Sequence, residues 1–334
     1  MTTLAPHRRP AVVALGLLAL GLLCVLLGLC VGSDGWSWPG GDPAGIGSSI
    51  VWDLRWPRSG GAWLAGALLG LAGALGQSLF RNPLADPYLL GSASGAGLGV
   101  ALGLVAVHST WAAVRALAPW SGELLAFLGA WLAVSLALWW SRGLTHTPRL
   151  LLAGVVVGVV LSAITSALML SVPQAWVSFQ AFMLGTTQAL DAPALLVLGV
   201  GLGVSAAMAW RAAPALDVLS LGEATARSLG LNLSRDRTWL LLSMTLATSL
   251  AVAHTGLIAF VGLAAPHMVR SLVQIRPSHL WPLSALAGGL LLALADGVSR
   301  WWWAPLEWPV GVLTALIGGL YLLRRLDRMN REAL

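Results

Sequence analysis

Residues 10–31 form an apolar run of 22 positions without a single charge, and nine more runs of comparable length follow along the chain. A helix needs ~20 apolar residues to cross the ~30 Å hydrocarbon core of a bilayer, and inside that core every backbone N–H and C=O must be satisfied by the protein itself. Runs this long and this numerous admit one broad architecture, an all-α polytopic membrane protein. The spacing predicts crossings at 10–32, 59–79, 91–108, 122–141, 149–171, 190–210, 238–256, 257–273, 282–299 and 309–325. The seventh and eighth come from one apolar block, 238–273, too long for a single crossing; it is divided at His254, Thr255 and Gly256. Composition agrees: 10% of the 334 residues are charged, against ~25% in soluble domains. Nothing in 1–334 reads as a soluble domain, so the chain is taken as a single transmembrane domain.

The 19 basic residues are all arginine. Without lysine there is no phosphate-binding Walker A loop and no Schiff-base chemistry. Any ATP hydrolysis linked to this chain must belong to another. The arginines also orient it. With the N-terminus in the cytoplasm, Arg8, Arg9, Arg81, Arg142, Arg149, Arg211, Arg227, Arg235, Arg237, Arg270, Arg276, Arg324, Arg325, Arg328 and Arg331 lie inside, and only Arg55, Arg58, Arg115 and Arg300 lie outside. That asymmetry is the positive-inside pattern, and it requires an even number of crossings with both termini cytoplasmic. The net charge of +6 is then an orientation signal beside anionic inner-leaflet lipid and needs no nucleic acid. The first run exceeds the ~7–15 residues of a signal-peptide core and is read as a retained helix. Its Cys24 and Cys30, six apart, fall on different helix faces and are read as small buried hydrophobes rather than a disulfide. Of the 18 tryptophans, Trp36, Trp38, Trp52, Trp56, Trp111, Trp120, Trp139, Trp140, Trp210, Trp301, Trp302 and Trp303 fall near predicted helix ends, as an interfacial aromatic belt should.

The most informative stretch begins with Gly66, Gly70 and Gly73, small residues at helical spacing that let helices pack closely in lipid. It continues through Arg81, Asn82, Pro83, Leu84, Ala85, Asp86 and Pro87, read as a tight polar loop because each proline blocks a helix and extends the residue before it. Gly91, Ser92, Ala93, Ser94 and Gly95 then open another close-packed helix. Further along, Ser220, Leu221, Gly222 and Glu223 read as a capping box. A two-turn helix through Ala226, Arg227 and Leu229 follows, with Gly230 placed to end it in a left-handed conformation. Flanked by Arg211, Arg235 and Arg237, such a short stiff element suits docking into a groove of a soluble partner; a solvated loop helix is the plainer alternative.

These segments resemble the FecCD-type permeases, the membrane subunits of ABC importers for iron-siderophores, haem and cobalamin. The loop from Arg81 to Pro87 is similar to the family's signature. Leu151, Leu152, Ala153 and Gly154, continuing to Ser166, resemble its fifth crossing. Phe260 to Arg270 is similar to its Gly-Pro-His segment, and Asp296, Pro305, Glu307, Pro309 and Gly311 to its last two crossings. The likeness spans nearly the whole chain. The local departures are the run Trp301, Trp302, Trp303 and the outer loop 172–189 with Gln174, Gln180 and Gln188.

The resemblance implies partners: an ATPase subunit received at the 220–230 helix, a substrate-binding protein outside, and a second permease subunit, homologous or identical, that encloses the pathway. It implies that outer arginines receive acidic residues of the binding protein. That role falls on Arg55 and Arg58, and on Arg300, with Arg58→Glu expected to weaken docking without loss of folding. Arginine suits it, because its fork binds carboxylates bidentately. The fifth crossing, with Gly154, Gly158, Ser162, Thr165 and Ser166, is the expected pathway wall. Asp296 and Arg300 are spaced for an intrahelical ion pair, and Gln77 is expected to bond a neighbouring helix. His267 is expected to satisfy backbone freed by Pro266, and no His/Cys/Asp cluster has metal-ligand spacing. No catalytic constellation and no cofactor site is read. The expectation is an inner-membrane ABC importer permease, with an iron(III)-siderophore favoured over haem or cobalamin on the family's breadth. An ion-driven secondary transporter would need buried ionisable groups in mid-membrane, which are scarce here.

Overall fold

Each of the ten apolar runs contains a helix in the computed structural model, which describes residues 10–32, 35–36, 49–109, 122–141, 147–229, 232–302 and 304–332. The helices are α1 (Pro10–Leu29), α2 (Trp56–Phe80), α3 (Ser92–His108), α4 (Gly122–Trp140), α5 (Thr147–Ser171), α6 (Trp176–Leu184), α7 (Ala192–Ser220), α8 (Glu223–Ser228), α9 (Leu233–Thr255), α10 (Val261–Leu272), α11 (Pro277–Trp301) and α12 (Val310–Glu332). A two-residue antiparallel ladder, β1 (Val31–Gly32) with β2 (Gly35–Trp36), follows α1, and a π-helical turn, Ile50–Arg55, leads into α2. Among the described residues, seven helices are long and apolar enough to span a bilayer alone: α1, α2 with its leading turn, α4, α5, α7, α9 and α11. Among the tryptophans, Trp36, Trp52, Trp139, Trp140, Trp210, Trp301 and Trp302 are exposed; Trp38, Trp111, Trp120 and Trp303 lie outside the described residues, as do Arg8, Arg9, Arg115, Arg142 and Gly230.

α2 is the hub. It packs on α11, α9, α7 and α10, and its residues from Ala65 to Leu75 are all buried. The Gly66 and Gly70 face lies directly on the backbone of α11 at Gly288 and Ser284. Between hydrocarbon-like helices in lipid, close van der Waals approach replaces the hydrophobic drive, which explains the small-residue spacing.

Two crossings are not the simple helices expected. The eighth is broken: α9 ends at Thr255, as the proposed division requires, but residues 256–260 are non-helical before α10 begins. Twelve residues of α10 rise only ~18 Å, too little for the whole crossing. Irregular backbone at membrane depth must be satisfied by protein. Here the Leu257 N–H donates to Phe182 O at 3.1 Å, Thr186 N–H to Thr255 O at 2.8 Å and Gly311 N–H to Gly185 O at 3.2 Å. Gly185 and Gly256, with φ of +70° and +67°, supply left-handed backbone where these segments cross. The outer loop 172–189 is likewise helical over most of its length, as a 3₁₀ turn (Pro173–Ala175) and α6.

The other departure is the loop after α2. Arg81, Asn82, Pro83 and Leu84 are exposed, but Ala85, Pro87, Leu90 and Gly91 are buried. The polar-loop reading therefore holds for its first half alone. The second half turns inward until Gly91 meets Gly154 and Gly158 of α5, two turns from that helix's inner end. Hence α3 starts below the surface, and its 17 residues suffice for the remaining ~25 Å.

Candidate functional site

At the outer ends of α2 and α11 four charges converge. Asp296 is fully buried. It accepts from Arg58 Nε at 3.1 Å, from Thr187 Oγ1 and from Arg300 Nη2, both at 2.5 Å. The i,i+4 pair of Asp296 with Arg300 read from spacing is present. Arg300 also donates to Ser59 Oγ at 3.0 Å and to the carbonyls of Gly28 and Val31 at 3.0 and 2.9 Å, closing the end of α1. Arg58 Nη2 reaches Glu307 at 2.8 Å, and Glu307 accepts from Gln188 Nε2 at 2.7 Å.

This geometry corrects the outer-arginine reading. Arg300 is 2% exposed and its donors are taken by internal partners, so it does not face a docking protein. Arg58, with 14% of its side chain exposed, bridges two internal carboxylates. Arg55 donates to Leu29 O at 2.9 Å, capping α1. The Arg58 charge is balanced by Asp296 and Glu307, distant in sequence, and that of Arg300 by Asp296 one helical turn before it. Ser59, Thr187, Gln188 and Glu307 were missed as partners, and only the position of Ser59 beside Arg58 gave any signal.

Burial pushes the Glu307 carboxyl up, but the hydrogen bond and charge of Arg58, with the Gln188 bond, outweigh it and hold it below its ordinary 4.5. A depressed carboxylate contributes stability that is fully present above its unfolded value and lost as pH falls through the folded one. Between about pH 5 and 8 this bridge should therefore contribute equally. Melting of wild type and Glu307→Gln across that window should differ by a constant offset; a gap that narrows toward pH 5 would contradict the assignment.

On the inner side, Gln77 bonds a neighbouring helix as expected: its Nε2 donates to Leu263 O at 3.2 Å and its Oε1 accepts from Arg270. His267 stands edge-on to Tyr321 with ring centroids 5.7 Å apart. Asp217 accepts from Ser278 N–H at 2.9 Å and Ser278 Oγ at 2.7 Å, tying α7 to α11, a contact the sequence reading did not contain.

The short cytoplasmic helix exists as α8, but the capping box does not. Ser220 is the last residue of α7, and its hydroxyl donates to Asp217 O at 2.6 Å. The break falls at Gly222, whose φ of +108° few L residues adopt and which, as the N-cap of α8, has no side chain to cap it. Helix α7 runs past its predicted end, through Pro214, and so captures Ser220. Ala226 is buried against the core, whereas Leu221 and Leu229 are 65% and 62% exposed on either side.

The α5 wall divides. Gly154 and Gly158 face inward onto Leu89, Leu90 and Gly91, and Thr165 is buried with its hydroxyl on Leu161 O at 2.8 Å. These three line no open surface of the chain. Ser162 and Ser166 are exposed, Ser162 donating to Ser94 Oγ at 3.1 Å. Ser171, Gln174, Ser178 and Gln180 continue exposed polar positions into α6.

Comparison with known proteins matches residues 17–328 to the FecCD transport family. The vitamin B12 import system permease protein BtuC of Salmonella paratyphi A is 37% identical over 305 residues, 91% of each chain. Its namesake from Yersinia enterocolitica is 36% identical over 319 residues, covering 94% of this chain and 92% of its own. Among solved structures, an ABC transporter of the metal-chelate type in an inward-facing conformation superposes with a TM-score of 0.82 at 27% identity, over 94% of this chain and 98% of its own. PsaBC from Streptococcus pneumoniae, at 16% identity and a TM-score of 0.55, shares the fold. The chain therefore belongs to the FecCD transport family, as a multi-pass ABC importer permease of the bacterial inner membrane.

Proposed function

We propose that the exposed polar stripe Ser162, Ser166, Ser171, Gln174, Ser178 and Gln180 forms one wall of the translocation pathway, completed by a second permease subunit. The stripe runs along α5 and α6 among exposed Leu152, Val155, Val156, Val159 and Val160. Hydroxyls and amides at that depth gain more from water or a partner than from lipid. Among the described residues, the cavities of about 610 Å³ between α1 and α11 and about 420 Å³ between α1, α2 and α7 are lined by apolar side chains, and suit no polar cargo. On this reading ATP is hydrolysed by a separate subunit, received at α8 through Leu221 and Leu229, while a binding protein delivers cargo from outside.

The cargo is a metal chelate. The vitamin B12 permeases quoted above favour cobalamin as the first substrate to test, and the siderophore reading rests on family breadth alone. The assembled importer in liposomes should take up cyanocobalamin only with ATP inside reach of the ATPase, and Ser166→Leu should lower uptake about tenfold without loss of assembly, as a lost polar site of ~1.4 kcal/mol would. Uptake unchanged in Ser166→Leu overturns the wall. Uptake of an iron(III)-siderophore in place of cobalamin overturns the cargo.

A further inference from the structure

Helix α12 does not close fully on the rest of the chain. It packs chiefly on α11, with lesser contacts to α10 and α6. Beneath it lies a cavity of about 310 Å³, walled by Ala264 and Met268 of α10, Leu291 and Ala295 of α11, and Leu313 and Ile317 of α12. Of the described lining residues only Thr314 and Tyr321 carry a hydroxyl, and that of Thr314 is spent on Gly311 O at 3.0 Å. A buried water needs two to four polar partners, which these walls do not offer. A gap left unfilled forfeits the dispersion contacts of every side chain around it. The chemistry of the walls therefore calls for an apolar occupant.

The cavity opens toward the bilayer. Leu294 and Ile317, both in its lining, are 45% and 58% exposed. Leu294 and Val298 also line the cleft between α1 and α11. The two openings thus share one face of the chain, the face of α1, whose Leu15, Leu20, Leu23 and Leu26 are exposed as lipid-facing side chains should be. The polar groups gather at the other end. Tyr321 meets His267 edge-on at the inner end of the cavity. Arg324, exposed, follows Tyr321 by three residues toward the cytoplasm and so lies on the same side of α12. Arg270 ends α10 with its guanidinium turned away, on Gln77 of α2. An apolar slot with a hydroxyl and a guanidinium at its cytoplasmic end has the polarity of an inner-leaflet lipid.

We propose that this cleft is a phospholipid site. One acyl chain of an inner-leaflet lipid lies under α12 against Met268, Leu291 and Leu313, and the phosphate sits at Tyr321 and Arg324. Basic positions beside clefts on the cytoplasmic side select anionic head groups, and the arginine fork matches a phosphate. Lipid then completes the packing that α11, α10 and α6 leave unfinished.

The test is photo-crosslinking in the assembled importer in liposomes, with phosphatidylglycerol or phosphatidylcholine carrying a diazirine midway along one acyl chain. Adducts should concentrate on peptides containing Met268, Leu313 and Ile317, and should be severalfold fewer with phosphatidylcholine. Ala264→Phe sets a ring in the cavity and should cut those adducts severalfold, while adducts on the exposed leucines of α1 stay as they were. Ala295→Leu fills the same space from α11 and should act alike, which keeps the test intact if the first variant folds poorly. Arg324→Gln should abolish the preference for phosphatidylglycerol and leave chain insertion in place. Adducts no denser at the cavity than along α1, or undiminished in the filled variants, mean surrounding lipid only and overturn the site. Equal labelling by the two lipids in the wild type overturns the head-group assignment. None of these readouts depends on which cargo is carried.

Discussion

Asp296→Ala is expected to cost the permease a large part of its folding stability and to lower its melting point more than any other single change at this cluster. The carboxylate has no exposure and holds two guanidinium groups, Arg58 and Arg300, together with the Thr187 hydroxyl. Removing it leaves two cations side by side in a buried site, with Glu307 in contact with only one of them. Breaking a buried ion pair by deleting one partner costs about 3–5 kcal/mol, because the surviving charge stays desolvated. Against total stabilities of ~5–15 kcal/mol, that is a large fraction. The loss would also spread, since Arg300 closes α1 through the Gly28 and Val31 carbonyls and Arg58 holds the approach to α12 through Glu307. Asp296→Asn keeps the shape and acceptor capacity but not the charge, and should fall between the two. Melting in detergent, with gel filtration to count folded material, checks the order wild type, Asn, Ala; a wild-type melt for Asp296→Ala would show that the cluster contributes nothing. The same geometry changes what Arg58→Glu would report. It would place a third carboxylate beside Asp296 and Glu307, so its primary effect is on folding, not on docking.

The helices were legible because lipid asks for about 20 apolar residues per crossing; seven of the described helices meet that length alone, and the remaining runs are apolar but shorter. The division at Gly256 was legible for the same reason. What was not legible is where polar groups go. Asp296 and Arg300 share a helix turn, so spacing revealed them, but Glu307 lies 249 positions from Arg58 and 119 from Gln188, and meets both only through the fold. Ser220 was misplaced because a cap and a helix interior look alike when the preceding helix overruns. The α5 residues were chosen correctly as a helix and only partly as a face. Small residues mark close packing and open surface alike, and it took the position of Gly91 to show that Gly154 and Gly158 are packed. The half-buried signature loop shows the same limit: its prolines announce a turn, not the depth to which it descends.

Gly73→Ala and Gly76→Ala should move stability in opposite directions, although both add one methyl to the same helix, three residues apart. In a helix interior alanine is favoured over glycine by up to ~1 kcal/mol. At Gly76 the new methyl would meet Met244 Sδ at 3.2 Å, the far end of a flexible side chain that can turn aside. The propensity gain should survive there, giving a neutral or slightly higher melting point. At Gly73 the methyl would fall on the carbonyl oxygen of Gly262, where α2 crosses the start of α10. No rotamer relieves a backbone contact, so the helices must separate. Overpacking of this kind costs about 1–3 kcal/mol even where side chains can adjust, and this site has none to adjust. The displacement would also draw Leu263 O from Gln77 and Gly262 from Pro87 of the signature loop. Gly73→Ala should therefore lower both the melting point and ATP-driven uptake, while Gly76→Ala keeps both. Equal behaviour of the two variants would mean that α2 and α10 do not cross at Gly73.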